Sequence, residues 1–335
     1  MAAKPTPNTP CPCPVCGDCG SREIWRIGDR LFATTNLEFS LHRCPSCQTD
    51  HLVPVPSDDE LGGYYPEEYW VAPPTQARAS LMLRSSEFYR RLVLRNHIQF
   101  VRRVIGEQRR RGLTPRIVDV GCGDGSYLEA LGAEHSVGID LSLPALRSGR
   151  ARGQTTTRGT LFSKGRGTAP FADRSFSVIT AFHFLEHVSD PRPILAEMHR
   201  LLRHDGDLVI QVPNKDSWQA KLLGARWSGL DVPRHLVNYS ARTVSDVLEA
   251  CGFDVIRQSH FSLRDGPMTL ANSLVPVLYP PARRARLGDR DIGVGAWLAR
   301  LAYLGVTLAS LPVSLIESSF GHGAAVMLQA RPRAK

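Results

Sequence analysis

Apolar positions follow two different periods along the chain, and where each period occurs outlines the elements. Ile117-Val-Asp-Val120 and Ser136-Val-Gly-Ile-Asp140 are short, dense apolar runs of the kind buried within a sheet. Phe253-Asp-Val-Ile-Arg257 and the stretch from Gly321 to Ala330 read as two further strands. Ile194 to Leu202 has helical spacing, and a helix is also expected directly after the glycines at 121, 123 and 125. Strands alternating with helices predict an α/β domain. Nearer the start, Ile24-Trp-Arg-Ile27 and Leu37-Glu-Phe-Ser-Leu41 alternate like the short strands of a smaller unit.

Two more helical patterns lie outside that core. Leu81, Phe88, Leu92, Ile98, Phe100, Val101, Val104 and Ile105 predict an amphipathic helix. Leu298, Leu301, Leu304, Leu308, Leu311 and Leu315 form a single leucine stripe. The uncharged run there is only 16 residues, Leu301 to Ile316, and Gly305 and Pro312 interrupt it. That is short of the ~20 residues a bilayer span needs, so a helical insert is expected. Buried core, a cap over a lipophilic acceptor and a membrane-surface helix all fit such a stripe.

At 335 residues with 42% hydrophobic and 22% charged positions, the composition is that of a globular protein. The formal charge is +9, and eleven arginines between Arg78 and Arg116, against Glu87 and Glu107, account for it. A solvated face on a connecting helix explains this basic segment; anionic lipid, a phosphorylated acceptor or RNA are its alternative partners. Residues 1–10 have no apolar h-region, and a mobile tail with a cytoplasmic, reducing location is the expectation.

Six of the eight cysteines precede residue 50. Cys13-Pro-Val-Cys16-Gly17 and Cys44-Pro-Ser-Cys47 are paired knuckles of the kind that aim thiolates at one centre. They predict a zinc ribbon over 11–55 with a structural zinc on Cys13, Cys16, Cys44 and Cys47. Cys11 and Cys19 leave the first knuckle ambiguous, because Cys16-Gly-Asp-Cys19 has the same spacing. Disulfides are the rival reading.

The most informative stretch is Asp119-Val-Gly121-Cys122-Gly123-Asp-Gly125, where a strand breaks into glycines and a helix begins. Glycine permits a tight turn and close backbone approach to a ligand, and the new helix presents free N–H groups. Asp140 ends the next strand, placed to accept hydrogen bonds from a ribose, with Leu141 beside it. Then follow Ser175-Phe-Ser-Val-Ile-Thr-Ala-Phe-His-Phe-Leu-Glu-His-Val-Ser-Asp-Pro191, Asp205-Gly-Asp-Leu-Val-Ile-Gln-Val-Pro-Asn214, Asp231-Val-Pro-Arg-His-Leu236 and Ala250-Cys-Gly-Phe253. In order and spacing this series resembles class I S-adenosylmethionine-dependent methyltransferases, in particular the methyltransferase domain 23-like group with an N-terminal zinc ribbon. The connector Pro54-Val-Pro-Ser-Asp-Asp-Glu-Leu-Gly-Gly-Tyr-Tyr-Pro-Glu-Glu-Tyr-Trp70 extends the resemblance to nearly the whole chain.

The resemblance implies a Rossmann-like seven-stranded sheet whose last strand inserts antiparallel. It implies S-adenosyl-L-methionine as methyl donor, with Asp119, Gly121, Cys122, Gly123 and Gly125 around its methionine part and Asp140 and Leu141 on the nucleoside side. Three departures stand out: Ser177 and Asp207 replace the family's Asp and Gly, and no acid lies between Asp140 and Asp173 to meet the adenine amino group. Ser163, Thr168 or a backbone carbonyl are the substitutes. His187 and His235 are candidate bases, each equally readable as a structural histidine; His183, in an aromatic strand end, is a weaker one. Tyr64, Tyr65, Tyr69 and Trp70 either close over the site or pack between domains.

The resulting organisation is a tail (1–10), the ribbon (11–55), an aromatic connector with the basic helix (56–115), the donor-binding core (116–265), the apolar insert (266–320) and a final strand (321–335). Zinc-ribbon relatives act on sugars, glycan or lipid intermediates and secondary metabolites. A small-molecule, glycan or lipid-linked acceptor is therefore expected, with peripheral contact to an anionic membrane. A zinc-ribbon RNA methyltransferase and a non-catalytic S-adenosylmethionine-fold binding module are the alternatives.

Overall fold

The computed structural model describes residues 12–66, 69, 92–163, 167–169 and 171–333. Cys11, Trp70, Pro170, the arginines from 78 to 91 and the 1–10 tail lie outside these residues, as do the side chains of Ser163 and Thr168.

The chain opens with strands β1 (Arg22–Gly28), β2 (Glu38–Arg43) and β3 (Asp50–Val53), paired antiparallel. Helix α1 (Asp58–Gly63) starts in a capping box, Ser57 and Glu60 each closing on the other's backbone N–H. Helix α2 (Arg95–Arg110) buries Ile98, Val101, Val104 and Ile105 against Ile117, Val178 and Val209. Its arginines 102, 103, 109 and 110 point outward. The described part of the basic segment is thus a core helix with a solvated face.

The parallel strands are β4 (Ile117–Val120), β5 (Ser136–Asp140), β6 (Thr156–Arg158), β7 (Phe176–Phe182) and β8 (Leu202–Pro213). Helices α3 (Ser126–Leu131), α4 (Leu143–Ala151) and α5 (Pro191–Leu201) connect them. After α6 (Trp218–Leu223), β9 (Val237–Asn238) and α7 (Ala241–Ala250) comes β10 (Phe253–Ser259). The helical insert is α8 (Asp265–Leu274), α9 (Pro280–Leu287), α10 (Gly293–Ala309) and α11 (Leu311–Ser319). Strand β11 (Ala325–Pro332) closes the chain.

The large sheet has seven strands in the order β10-β11-β8-β7-β4-β5-β6. β11 lies antiparallel between β8 and β10, with Leu208 opposite Ala330 and Pro213 opposite Ala325. The expected architecture is therefore present. Both departures in this sheet have local causes. Ser177 Oγ accepts the Arg116 N–H at 2.9 Å, fastening the start of β7. Asp207 is fully buried and accepts from Arg111 at 3.1 Å, and from Gln329 and Arg331 at 2.8 Å each, while Gln108 also donates to it. A carboxylate in place of glycine here ties α2 to β8 and β11 through charge-assisted bonds.

The ribbon sheet is not isolated. β9 of the core joins it as a fourth strand, Val237 pairing with His51 and Asn238 with Asp50. Cys13, Val15, Ile27, Leu41 and Leu52 share one apolar core with Leu185, Leu195, Leu236 and Val237. The insert departs most from a core reading. Leu298, Leu301, Leu304, Leu308 and Leu315 are all exposed, so the stripe is not buried.

Candidate active site

The donor side is built by one turn of backbone. Gly121, Gly123 and Gly125 have φ of 71°, 54° and 69°, where a side chain would strain the chain. A Cβ on Gly121 would lie 2.8 Å from the Phe184 ring, and one on Gly125 would lie 3.2 Å from Gln154. Asp140 accepts from Gly123 N at 2.9 Å and Ser142 N at 2.8 Å, which pins the loop to the end of β5. Leu141 beside it is 63% exposed, an apolar side chain left facing outward next to Asp140. Cys122 turns inward, its sulfur against Gly138, and burial pushes its thiol well up. Asp119 is buried beneath the loop, and burial pushes its carboxyl up to about 7, against the 2.6 Å bond from Thr180 and with Asp140 nearby. Among the described residues no cation offsets it, so a ligand ammonium would find a matched partner there.

A second group of candidate residues lies past the end of β7 and is assembled from side chains. His187 Nδ1 is 2.9 Å from the Arg234 carbonyl and 2.9 Å from the Tyr65 hydroxyl. A carbonyl only accepts, so Nδ1 carries the proton and Nε2 keeps its lone pair. His235 packs edge-on at 4.8 Å between ring centres, with its Nδ1 2.9 Å from the Gly229 carbonyl. Burial, with His187 beside it, pushes His235 down to about 4 and leaves it neutral. Burial also opposes charge on His183, yet Asp265 at 3.1 Å and Glu186 at 3.1 Å raise it to about 9. His183 sits at φ 51° in a half-buried ion pair that joins the end of β7 to the start of the insert.

Beneath His187 lies a buried clamp. Arg234 is fully buried and donates to Asp29 at 2.8 and 3.0 Å, to Asp231 at 2.7 and 3.1 Å, and to the Tyr64 carbonyl at 3.0 Å. Its guanidinium lies 4.8 Å from the centre of the Phe32 ring. Asp29, Phe32 and Tyr64 come from the ribbon and connector, so those segments hold the loop that orients His187. From the sequence alone Arg234 is one basic residue in a motif, and Asp29 lies 205 positions away from it. No short-range signal links them. The connector tyrosines both pack between the units and reach the candidate site: Tyr65 touches His187, and Tyr64 packs edge-on against Phe39.

Four thiols meet at the tip of the ribbon. Cys13, Cys16, Cys44 and Cys47 have their sulfurs within 4.8 Å of one another, with Cys13 to Cys47 at 3.6 Å and Cys16 to Cys44 at 3.5 Å. Zn–S bonds of about 2.3 Å in a tetrahedron put sulfurs roughly 3.8 Å apart, so the cluster fits zinc. Cys19 is exposed and bonds only weakly to the Gly17 carbonyl, outside this group. A cleft of about 520 Å³ between Arg102, Arg109, Ile117 and His135 is at the amino ends of β4 and β5. The glycine loop follows their carboxyl ends, where ligands of parallel sheets bind.

The seven-stranded order, the antiparallel last strand and the glycine loop over Asp119 define an S-adenosylmethionine-dependent methyltransferase of class I architecture. The chain belongs to the methyltransferase domain family, whose model matches residues 86–258. It is 31% identical over 147 residues to a ubiquinone biosynthesis O-methyltransferase of Histophilus somni, covering 40% of this chain and 60% of that one. It is 37% identical over 98 residues to a demethylmenaquinone methyltransferase of Renibacterium salmoninarum, covering 28% and 40% respectively. The chain thus spans about 60% or less of the length of these curated relatives. A solved S-adenosylmethionine-dependent methyltransferase of Archaeoglobus fulgidus is similar at 16% identity and a TM-score of 0.46, over 76% of this chain and all of that one.

Proposed function

We propose that this protein transfers a methyl group from S-adenosylmethionine to a hydroxyl of a small, lipophilic acceptor, with His187 as the base. The observation that carries the reading is His187 itself. Its Nδ1–H is held by a backbone carbonyl and its Nε2 makes no hydrogen bond among the described residues, in a half-buried position past the carboxyl end of β7. When bound, the donor supplies an electrophilic sulfonium methyl. Asp119 and the 121–125 loop would hold its methionine part, Asp140 the ribose hydroxyls, and Leu141 the face of the adenine. As the acceptor oxygen took the methyl, the sulfonium S–CH3 bond would break and leave a neutral thioether; His187 Nε2 would accept the acceptor's hydroxyl proton, and the Arg234 carbonyl would stabilise the resulting imidazolium through Nδ1–H. His235, neutral and buried, packs against the base and keeps the ring in place. The relatives that act on quinone precursors by name support an apolar acceptor.

Cys13, Cys16, Cys44 and Cys47 would hold a structural zinc whose four thiolates leave no open position for chemistry. Elemental analysis should find one zinc per chain, and Cys47→Ser should lose it. The acceptor is tested by incubating the protein with methyl-labelled donor and fractionated extract. Label entering the lipid or small-molecule fraction supports the reading; label confined to RNA or protein, or binding of donor without any transfer, overturns it.

A further inference from the structure

The pair α10–α11 has its polarity turned inside out. The seam packed against the protein consists of Ala296, Ala299, Tyr303, Ser310, Ser314 and Glu317. The side left to solvent carries Trp297, Leu298, Leu301, Leu304, Leu308 and Ile316. A helix on a water-facing surface has the opposite arrangement. Inside the seam the polar groups are satisfied: Tyr303 donates to Asn272 at 2.7 Å, Ser314 to the Ser310 carbonyl at 3.1 Å, and Glu317 accepts from Gln219 N at 3.4 Å. Nothing polar is therefore available to turn outward, and the apolar face continues onto Phe320, which is 66% exposed and stacks on Trp218.

Charge separates the occupants that such a face could accept. The acids Asp265, Asp291 and Glu317 all turn inward. Arg284 and Arg290 are exposed and make no ion pair among the described residues, and Arg300 is half exposed at 3.7 Å from Asp291. Against a second copy, a two-fold interface must be self-complementary. Among the described side chains of this face there is no exposed acid to meet those arginines. An anionic bilayer offers both what the leucines and what the arginines need.

We infer that the face formed by α10, α11 and Phe320 docks on an anionic lipid surface, lying in its plane. The run Gly293–Ser319 is long and apolar enough, by length and composition, to cross a membrane. Its polar seam, however, stays packed on α8 and on Gln219 of α6 along its length, so one side is always protein and a span would bury Glu317 in lipid. None of the residues of this surface is among those assigned to the reaction, and its test does not depend on which acceptor is methylated.

The test is sedimentation of the full chain with phosphatidylcholine vesicles, with and without phosphatidylglycerol. Binding is expected to the anionic vesicles, with weakening as salt rises. The triple variant Leu301→Gln/Leu304→Gln/Leu308→Gln changes exposed positions only; it should keep its far-UV circular dichroism and bind about tenfold less or weaker still. Arg284→Gln/Arg290→Gln should lose the preference for phosphatidylglycerol. No binding of the wild type overturns the inference, as does equal binding by the triple variant. A concentration-dependent dimer that the triple variant abolishes, without vesicle binding, would assign the face to a second copy instead.

Discussion

The proposed donor half and the proposed acceptor half of this site are built by different means. The donor half is one continuous segment, 117–142, whose shape is held by glycine dihedrals and by Asp140 bonding to the loop's own backbone. The acceptor half draws Tyr65, His187, His235, Arg234 and Asp29 from four separate stretches, through side chains and a buried ion network. A local backbone device tolerates change elsewhere in the molecule. A long-range side-chain assembly fails when any partner is removed, because the partners left behind are buried charges.

The largest effect is expected at the base. His187→Ala should lower kcat by about 10²–10⁴-fold while donor affinity, read by titration calorimetry, stays nearly unchanged. Equal losses in both would show that the two halves are not separable. Next is the clamp. Arg234→Met leaves Asp29 and Asp231 unpaired in the interior and should cost about 3–5 kcal/mol in urea unfolding. A loss below ~1 kcal/mol would mean that ribbon and core are not coupled through this pair.

On the donor side effects should be smaller. Asp140→Ala should weaken donor binding by about 1–3 kcal/mol, and clear binding of a nicotinamide dinucleotide in its place would reject the donor assignment. The finest test is pH. Asp119 is held up at about 7, so below that value a cationic donor must displace its proton. Donor affinity should therefore rise with pH by roughly tenfold per unit up to about 7 and then level off. Asp119→Asn should bind more weakly and show a flat profile; an unchanged slope would place the titrating group elsewhere.

How much was legible in the sequence follows the same division. The glycine loop, Asp140 and the strand-end motifs are short and contiguous, so they carry the family resemblance, and it is that resemblance which implies the seven-stranded sheet and the position of the last strand. The ion pair of His183 is not legible there: nothing near it in sequence announces Asp265, which packs on it from the insert. Arg234 was passed over for the same reason. The leucine stripe was recognised as helical, but periodicity states only that one face is apolar and not which way that face points.

The sequence by itself determined the local geometry: where strands end and where glycine must turn. These depend on backbone dihedrals and on neighbours a few residues apart. Only the tertiary structure decided that β9 completes the ribbon sheet, that an arginine and an aspartate 205 positions apart orient the candidate base, and that the insert presents its leucines to the outside. Those outcomes rest on burial and on charges brought together by folding, and neither is a property of any short stretch of chain.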